Sequence, residues 1–175
     1  DDTAPGWGEP LYADGPETTL IYYARPTRVD GVLAGSVIAT TSVPNLSAFL
    51  ATIATPGEIG TFVLYGRDRV LAHADLAHPN PAQPGPLIGP EAPLPTLAEL
   101  RDPALAMIWE AGWEDRRFDQ FGIDAHYSRG DAGSYVYLYD TFVDGRDVPW
   151  LIGGYFRSED IGREWQELNR ATMLA

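Results

Sequence analysis

The sequence predicts an α+β fold: a five-stranded antiparallel sheet with its helices gathered on one side, preceded by a smaller unit of one hairpin and one helix. Three observations predict it. Runs of β-branched and aromatic residues are separated by short Gly and Asp turns, so successive strands pair as hairpins. Amphipathic stretches with helical spacing interrupt and end the strand series. A proline-dense segment, with seven Pro in the twenty residues 77–96, can be neither helix nor inner strand and reads as a long irregular loop able to cover a pocket.

Residues 18–25 and 32–42 are apolar runs flanking Asp30-Gly31, the pattern of a hairpin with a two-residue turn. In 43–53, Leu46, Phe49, Leu50 and Ile53 fall at i, i+3, i+4 and i+7, an amphipathic helix stopped by Pro56-Gly57. Strands 60–65 and 69–73 follow, joined at Gly66-Arg67-Asp68. Beyond the proline-rich loop, 97–111 reads as helical, with a break at Asp102-Pro103 where Pro suits a first helical turn. Strands 121–129, 134–143 and 148–157 come next, separated by turns at 130–133 and 144–147. Ser158 then caps a last helix over 159–172, with Glu159 and Asp160 in its first turn and a stripe of Ile161, Trp165 and Leu168. A hairpin and one helix are too little for an independent core. Residues 1–56 therefore read as the back half of a second lobe, and 57–175 as a complete one.

Composition narrows the function. The 175 residues are 45% hydrophobic and 21% charged, an ordinary globular balance, with 12 Arg, no Lys and 25 acidic residues for a net charge of −13. The Arg are scattered, so neither a nucleic-acid groove nor an anionic membrane surface is expected as a partner. No apolar run approaches the roughly 18 residues of a membrane span. The absence of cysteine removes thiolate metal sites and Cys nucleophiles. There is no Gly-x-Ser-x-Gly elbow, His-Glu-x-x-His, Walker loop or Gly-x-Gly-x-x-Gly, and no cofactor is expected. Glu110, Glu114, Asp115 and Asp119 near Trp109 and Trp113 offer a two-carboxylate hydrolase as the enzymatic alternative. Arg116 and Arg117 beside them suggest a solvated charged turn instead. A purely structural dimerisation domain is the third possibility.

The order of hairpin, helical and loop segment, three-stranded meander and terminal helix matches a PAS-like sensor. The run Gly31 to Ala39, the helix with Leu46, Phe49 and Leu50, and the run Thr61 to His73 together resemble the join between the two halves of a double Cache sensor. A narrower likeness lies in Pro93 to Leu97, Asp102 to Trp109 and Pro149 to Phe156. These resemble the extracytoplasmic region of bacterial membrane-bound class III adenylate or guanylate cyclases. The resemblance implies a non-enzymatic, periplasmic ligand-binding region of an inner-membrane receptor, dimeric in the full-length protein. It further implies a small-molecule ligand and a cytoplasmic cyclase output, with histidine kinase, chemoreceptor and diguanylate cyclase outputs as alternatives.

The resemblance also sets the candidate site. Amino-acid-binding members carry an Arg-x-Trp pair before the distal hairpin and an Asp on the strand after it. Here Trp7 to Tyr12 contains no Arg, and Thr40 stands five residues after Gly35, so free α-amino acids are disfavoured as distal ligands. Trp7, Tyr12, Tyr22 and Thr40 nevertheless occupy the region that lines a distal pocket, where they suit an amphiphilic ligand or a strand core equally. In the proximal half, Tyr135, Tyr137 and Tyr139 alternate with Val136 and Leu138 and so share one sheet face. With Tyr65 and Trp109 they are expected to line a cavity beneath 97–113, although an aromatic ladder is the competing reading. His73, Asp75 and His78 have a loose metal-ligand look, but solvated loop residues are the expectation and no metal is assigned. Finally, Leu20, Ile21, Val37 and Ile38 leave apolar surface on the N-terminal hairpin. Pairing with a second copy or with a further N-terminal segment is expected to cover it.

Overall fold

The structure, a computed structural model, describes residues 4–54, 59–77, 88–110, 114–118, 123–130, 133–143 and 148–160. Two short strands, β1 (Gly6–Trp7) and β2 (Leu11–Ala13), pair antiparallel along one edge of β3 (Thr18–Val29), and β4 (Val32–Ser42) pairs along the other. The β3–β4 turn has φ of 51° at Asp30 and 81° at Gly31, the double left-handed geometry that a type I′ turn demands and an Asp-Gly pair accepts.

Helix α1 (Val43–Ile53) begins where the Ser42 hydroxyl accepts the Asn45 N–H, and Pro44 sits in its first turn. Its buried residues are Val43, Ser47 and Leu50, whereas Phe49 and Ile53 are each 60% exposed. The expected stripe is thus rotated, and Ser47 gives the reason. Its hydroxyl accepts the buried His73 N–H at 3.3 Å, so the helix approaches an edge strand closely on its small side and satisfies a backbone donor left open there.

The second sheet contains β5 (Ile59–Tyr65), β6 (Arg69–His73), β7 (Glu114–Phe118), β8 (Ile123–Gly130), β9 (Gly133–Phe142) and β10 (Trp150–Arg157). Their spatial order is β6-β5-β10-β9-β8-β7, antiparallel throughout. The five expected strands are present, and β7 adds a sixth at the edge beside β8. Its sequence, Glu-Asp-Arg-Arg-Phe, has no apolar alternation and reads as a solvated turn; backbone pairing makes it a strand, and charged residues are common on edges.

The period-2 alternation of β5 sends Phe62 and Leu64 to one face and Val63 to the other, and both faces are covered. On the first, Leu97, Leu100, Leu105 and Ile108 pack over Tyr135, Tyr137, Leu151 and Tyr155. On the second, Val43 and Leu50 of α1, Ile21 of β3 and Leu94 pack over Val63, Leu71 and Ala72. The helices therefore lie on opposite faces, not on one side, because β5 and β6 are apolar on both.

The continuous helix expected over 97–111 is instead a 3-10 turn (Leu97–Glu99), a break, and the short helix α2 (Pro103–Ala106). Thr96 and Glu99 close the first piece in a capping box, and Asp102 caps α2. Pro103 lacks an N–H and its ring would clash with the carbonyl four residues back, so the two pieces cannot fuse. The described part of the proline-rich segment runs beside β6, with the Val70 N–H on Pro95 O at 2.8 Å and the Leu97 N–H on Asp68 O at 2.9 Å.

On the N-terminal hairpin, Ile21 is buried against the second sheet, which corrects the expectation that it lacks partners. Residues 32–40 of β4 are exposed throughout, including Val32 at 70% and Val37 at 66%. Residues 158–160 start a helix directly after β10. Its expected stripe of Ile161, Trp165 and Leu168 lies outside the described residues, as does His78. Among the described residues, no helix is long and apolar enough to cross a membrane.

Candidate functional site

The ends of β5, β6 and β10 meet the C-terminus of α1 and the N-terminus of α2 around a recess of about 500 Å³. Ala51 and Ala54 form its α1 wall and Asp102 and Pro103 its α2 wall. Its sheet side is made by Gly60, His73, Tyr135 and Tyr155, and Asp75 and Arg157 stand at the rim. Gly60 faces Tyr155 across the β5–β10 ladder, and a Cβ there would overlap the tyrosine ring. Absence of that carbon lets the phenol lie across the strand and reach His73.

His73 ends β6 with only 3% of its side chain exposed. Its Nδ1 accepts the Asp75 N–H at 3.3 Å, which caps a 3-10 turn (Ala74–Leu76). That contact assigns the proton to Nε2, which lies 3.0 Å from the Tyr155 hydroxyl and 3.5 Å from Asp102 Oδ2. The Tyr155 hydroxyl in turn donates to Asp102 Oδ2. Asp102 Oδ1 accepts the Ala104 N–H at 2.8 Å and the Leu105 N–H at 3.1 Å. One hydrogen-bonded chain thus ties β6, β10 and α2 together beneath the recess.

The electrostatics follow from this chain. Burial alone would push the Asp102 carboxyl up, but hydrogen bonds from His73, Tyr155 and the Leu105 N–H outweigh it and hold the group at about 2. Burial, and then the hydrogen bond to and charge of Asp102, push the Tyr155 phenol far above its usual range. The floor is therefore a fixed carboxylate with a neutral phenol at neutral pH. Among the described residues no group of three or more His, Cys, Asp or Glu side chains is arranged to hold a metal ion.

The residues anticipated from sequence are only partly assembled. Tyr135, Tyr137 and Tyr139 do share a face, but Tyr137 is fully buried with its hydroxyl on Ala104 O. Tyr139 packs edge-on against Trp109, whose indole N–H donates to Arg67 O at 2.6 Å and whose ring carries the Arg67 guanidinium at 4.7 Å. Of the three tyrosines, Tyr135 lines the recess. Tyr65 projects to the opposite face, one residue out of phase with Leu64, and lines a second recess of about 360 Å³ with Arg69, Glu9 and Leu94. The single cavity expected for all five aromatic residues is not formed.

In the first sheet, Trp7 packs on Trp150 at 5.0 Å and on Tyr23 at 5.4 Å, joining the two sheets. The Tyr22 ring covers Gly8, Tyr12 is half-buried on β2, and Thr40, paired with Tyr22, is exposed. The expectation that His73 and Asp75 are solvated loop residues fails for His73, which the folded chain buries under Tyr155. Sequence reasoning missed Tyr155, Asp102 and Gly60. A usable signal existed in Asp102-Pro103, a capped helix start, and in the alternation of 150–157, which puts Leu151 and Tyr155 on the tyrosine face.

No family model and no curated protein matches the chain. Among solved structures it is similar to the ligand-binding domain of the Pseudomonas aeruginosa PAO1 amino acid chemoreceptor PctC in complex with GABA. That match has 17% identity and a TM-score of 0.54, and it covers 89% of this chain and 57% of that one. It is also similar to the ligand-binding domain of the Pseudomonas fluorescens chemoreceptor CtaA in complex with L-leucine (16%, TM-score 0.51, 90% and 55% covered). A third is the extracellular domain of the putative histidine kinase mmHK1S-Z3 (12%, TM-score 0.52, 94% and 53% covered). The chain spans little more than half the length of these structures. The likeness is one of fold, the α+β architecture of Cache, PAS-like ligand-binding domains.

Proposed function

We propose that this chain is an extracytoplasmic small-molecule sensor region of a bacterial transmembrane signalling receptor, and that the recess floored by His73, Tyr155 and Asp102 is a ligand site. The observation that carries the reading is where the recess stands. Its walls are the end of α1, which links the two sheets, and the end of β10, from which 158–160 continue without a linker. A ligand that draws Ala54 and Phe156 together acts on both connections at once. A pocket of several hundred Å³, mostly apolar with a few convergent polar groups, suits a small organic ligand.

In this reading residues 1–56 are the back half of a membrane-distal lobe, with exposed β4 as the edge that a further strand completes, and 57–175 are the membrane-proximal lobe. The output is a cytoplasmic adenylate or guanylate cyclase, on the strength of the segments 93–97, 102–109 and 149–156. A chemoreceptor or histidine kinase output is the second reading, favoured by the kinds of receptor that share the fold. The domain works as a homodimer in its receptor.

The test is a thermal-shift screen of the chain against a metabolite library, run in parallel on Ala51→Trp, which places an indole at the α1 wall. A ligand that binds only the folded state raises Tm by mass action. The reading expects compounds that stabilise the wild type and not the blocked variant. Absence of any such compound, or equal shifts in both proteins, overturns it.

A further inference from the structure

The groups lining the recess restrict what can bind there, taking the sensor reading above as given. Hydrogen-bond donors at its floor are already used within the protein. Tyr155 O–H is on Asp102, His73 Nε2–H faces Tyr155, the Ala104 and Leu105 N–H groups are on Asp102, and the Thr61 hydroxyl is on Leu50 O at 3.4 Å. Acceptors remain. Asp75 Oδ2 takes the Arg101 N–H at 3.2 Å and lies 3.7 Å from His73 Nδ1, while among the described residues no hydrogen bond reaches Asp75 Oδ1. Asp75 is about one-third exposed at the rim, and the Asp102 carboxylate lies behind it. Among the described residues the one cation in the lining is Arg157, which is more than half exposed, paired with Glu159 at 3.4 Å and laid over the Tyr135 ring at 5.9 Å.

We infer that the recess selects a small organic cation, an ammonium or amidinium group on an apolar body, with Asp75 Oδ1 accepting from the charged head and the alanines and Tyr135 enclosing the body. An ammonium or amidinium brings several donors and no acceptor, the complement of a carboxylate-bearing wall whose Tyr155, His73 and Thr61 donors are already engaged. A ring or short chain fills the remaining space between α1 and β10, against the apolar edge that Tyr135 contributes. Among the described lining residues the cationic group open to an anion is the exposed Arg157, where the anion must displace Glu159. The net charge of −13 draws cations toward the domain at low ionic strength.

Three isosteric probes separate the possibilities: benzylamine, benzyl alcohol and benzoate, titrated into the ¹⁵N-labelled chain at pH 7 with dissociation constants read from the amides of 59–61 and 73–75. The inference expects benzylamine to bind at least tenfold more tightly than either other probe. Asp75→Asn, whose side-chain oxygen still accepts the Arg101 N–H, is expected to weaken benzylamine at least tenfold. Ala51→Trp is expected to abolish the shifts in a protein whose remaining amide spectrum confirms the fold. Equal or tighter binding of benzyl alcohol or benzoate, or unchanged affinity in Asp75→Asn, overturns the inference and leaves the sensor reading standing. Failure of all three probes, together with a metabolite screen without recess ligands, overturns both.

Discussion

Tyr155→Phe removes one oxygen and leaves the ring that packs on Phe62, Tyr135 and Tyr137. The lost hydroxyl donates to the Asp102 carboxylate and stands 3.0 Å from the buried His73 Nε2. A hydrogen bond to a charged group contributes about 1.5–3 kcal/mol and a neutral one about 0.5–1.5 kcal/mol. His73 Nε2 recovers part of this, because Asp102 Oδ2 is already 3.5 Å away and no backbone need move to shorten that contact. The expected net loss is therefore about 2 kcal/mol. Urea unfolding of the wild type, Tyr155→Phe, Asp102→Asn and the double variant checks it, with the m value confirming that the native surface is unchanged. The double variant should be less destabilised than the sum of the singles, since both remove the same bond, and the coupling should be about 1 kcal/mol or more. A Tyr155→Phe loss under about 0.5 kcal/mol, or strict additivity, would refute the buried chain as a connected unit.

Acid should act through the same carboxylate. The folded state holds Asp102 at about 2 against an ordinary 3.8, so its contribution is fully present above pH 3.8 and disappears as pH falls through about 2. The stake is on the order of 2 kcal/mol, and Asp102→Asn should flatten the stability profile in that interval as measured by circular dichroism. Ser47→Ala strands the buried His73 N–H and should cost about 1–2 kcal/mol in chemical unfolding, with α1 showing faster amide exchange. Gly60→Ala drives a methyl into the Tyr155 ring and should cost about 1–3 kcal/mol while lowering the affinity of any recess ligand. An unchanged Tm there would mean that the ring does not cross Gly60.

Much of the fold was legible because it rests on local chemistry. Asp30-Gly31 can form a left-handed two-residue turn, Pro103 suits a first helical turn, and the strand runs of the meander alternate with Gly and Asp breaks. β7 was illegible for the opposite reason: Glu114, Asp115, Arg116 and Arg117 carry no periodic signal, and only pairing with β8 defines them as a strand. The rotated face of α1 was hidden too, since a buried Ser47 is explained by a backbone donor 26 residues away. The site was least legible. Tyrosine alternation correctly placed three phenols on one face, but how deeply each is covered depends on α2, and the fate of Tyr65 depends on a one-residue phase along β5. His73, Tyr155 and Asp102 are separated by as many as 82 positions, and no spacing rule links them. Only the β5–β10 register, which sets Gly60 opposite Tyr155, brings them together.

The most direct measurement is a crystal structure of the chain with whichever compound stabilises it most in the thermal-shift screen. The account predicts electron density between the end of α1, the end of β10 and Asp102, with a polar group of the ligand within about 3.2 Å of Asp75. Density instead in the second recess beside Tyr65 and Arg69, or on the exposed face of β4, with the first recess unchanged, would contradict it.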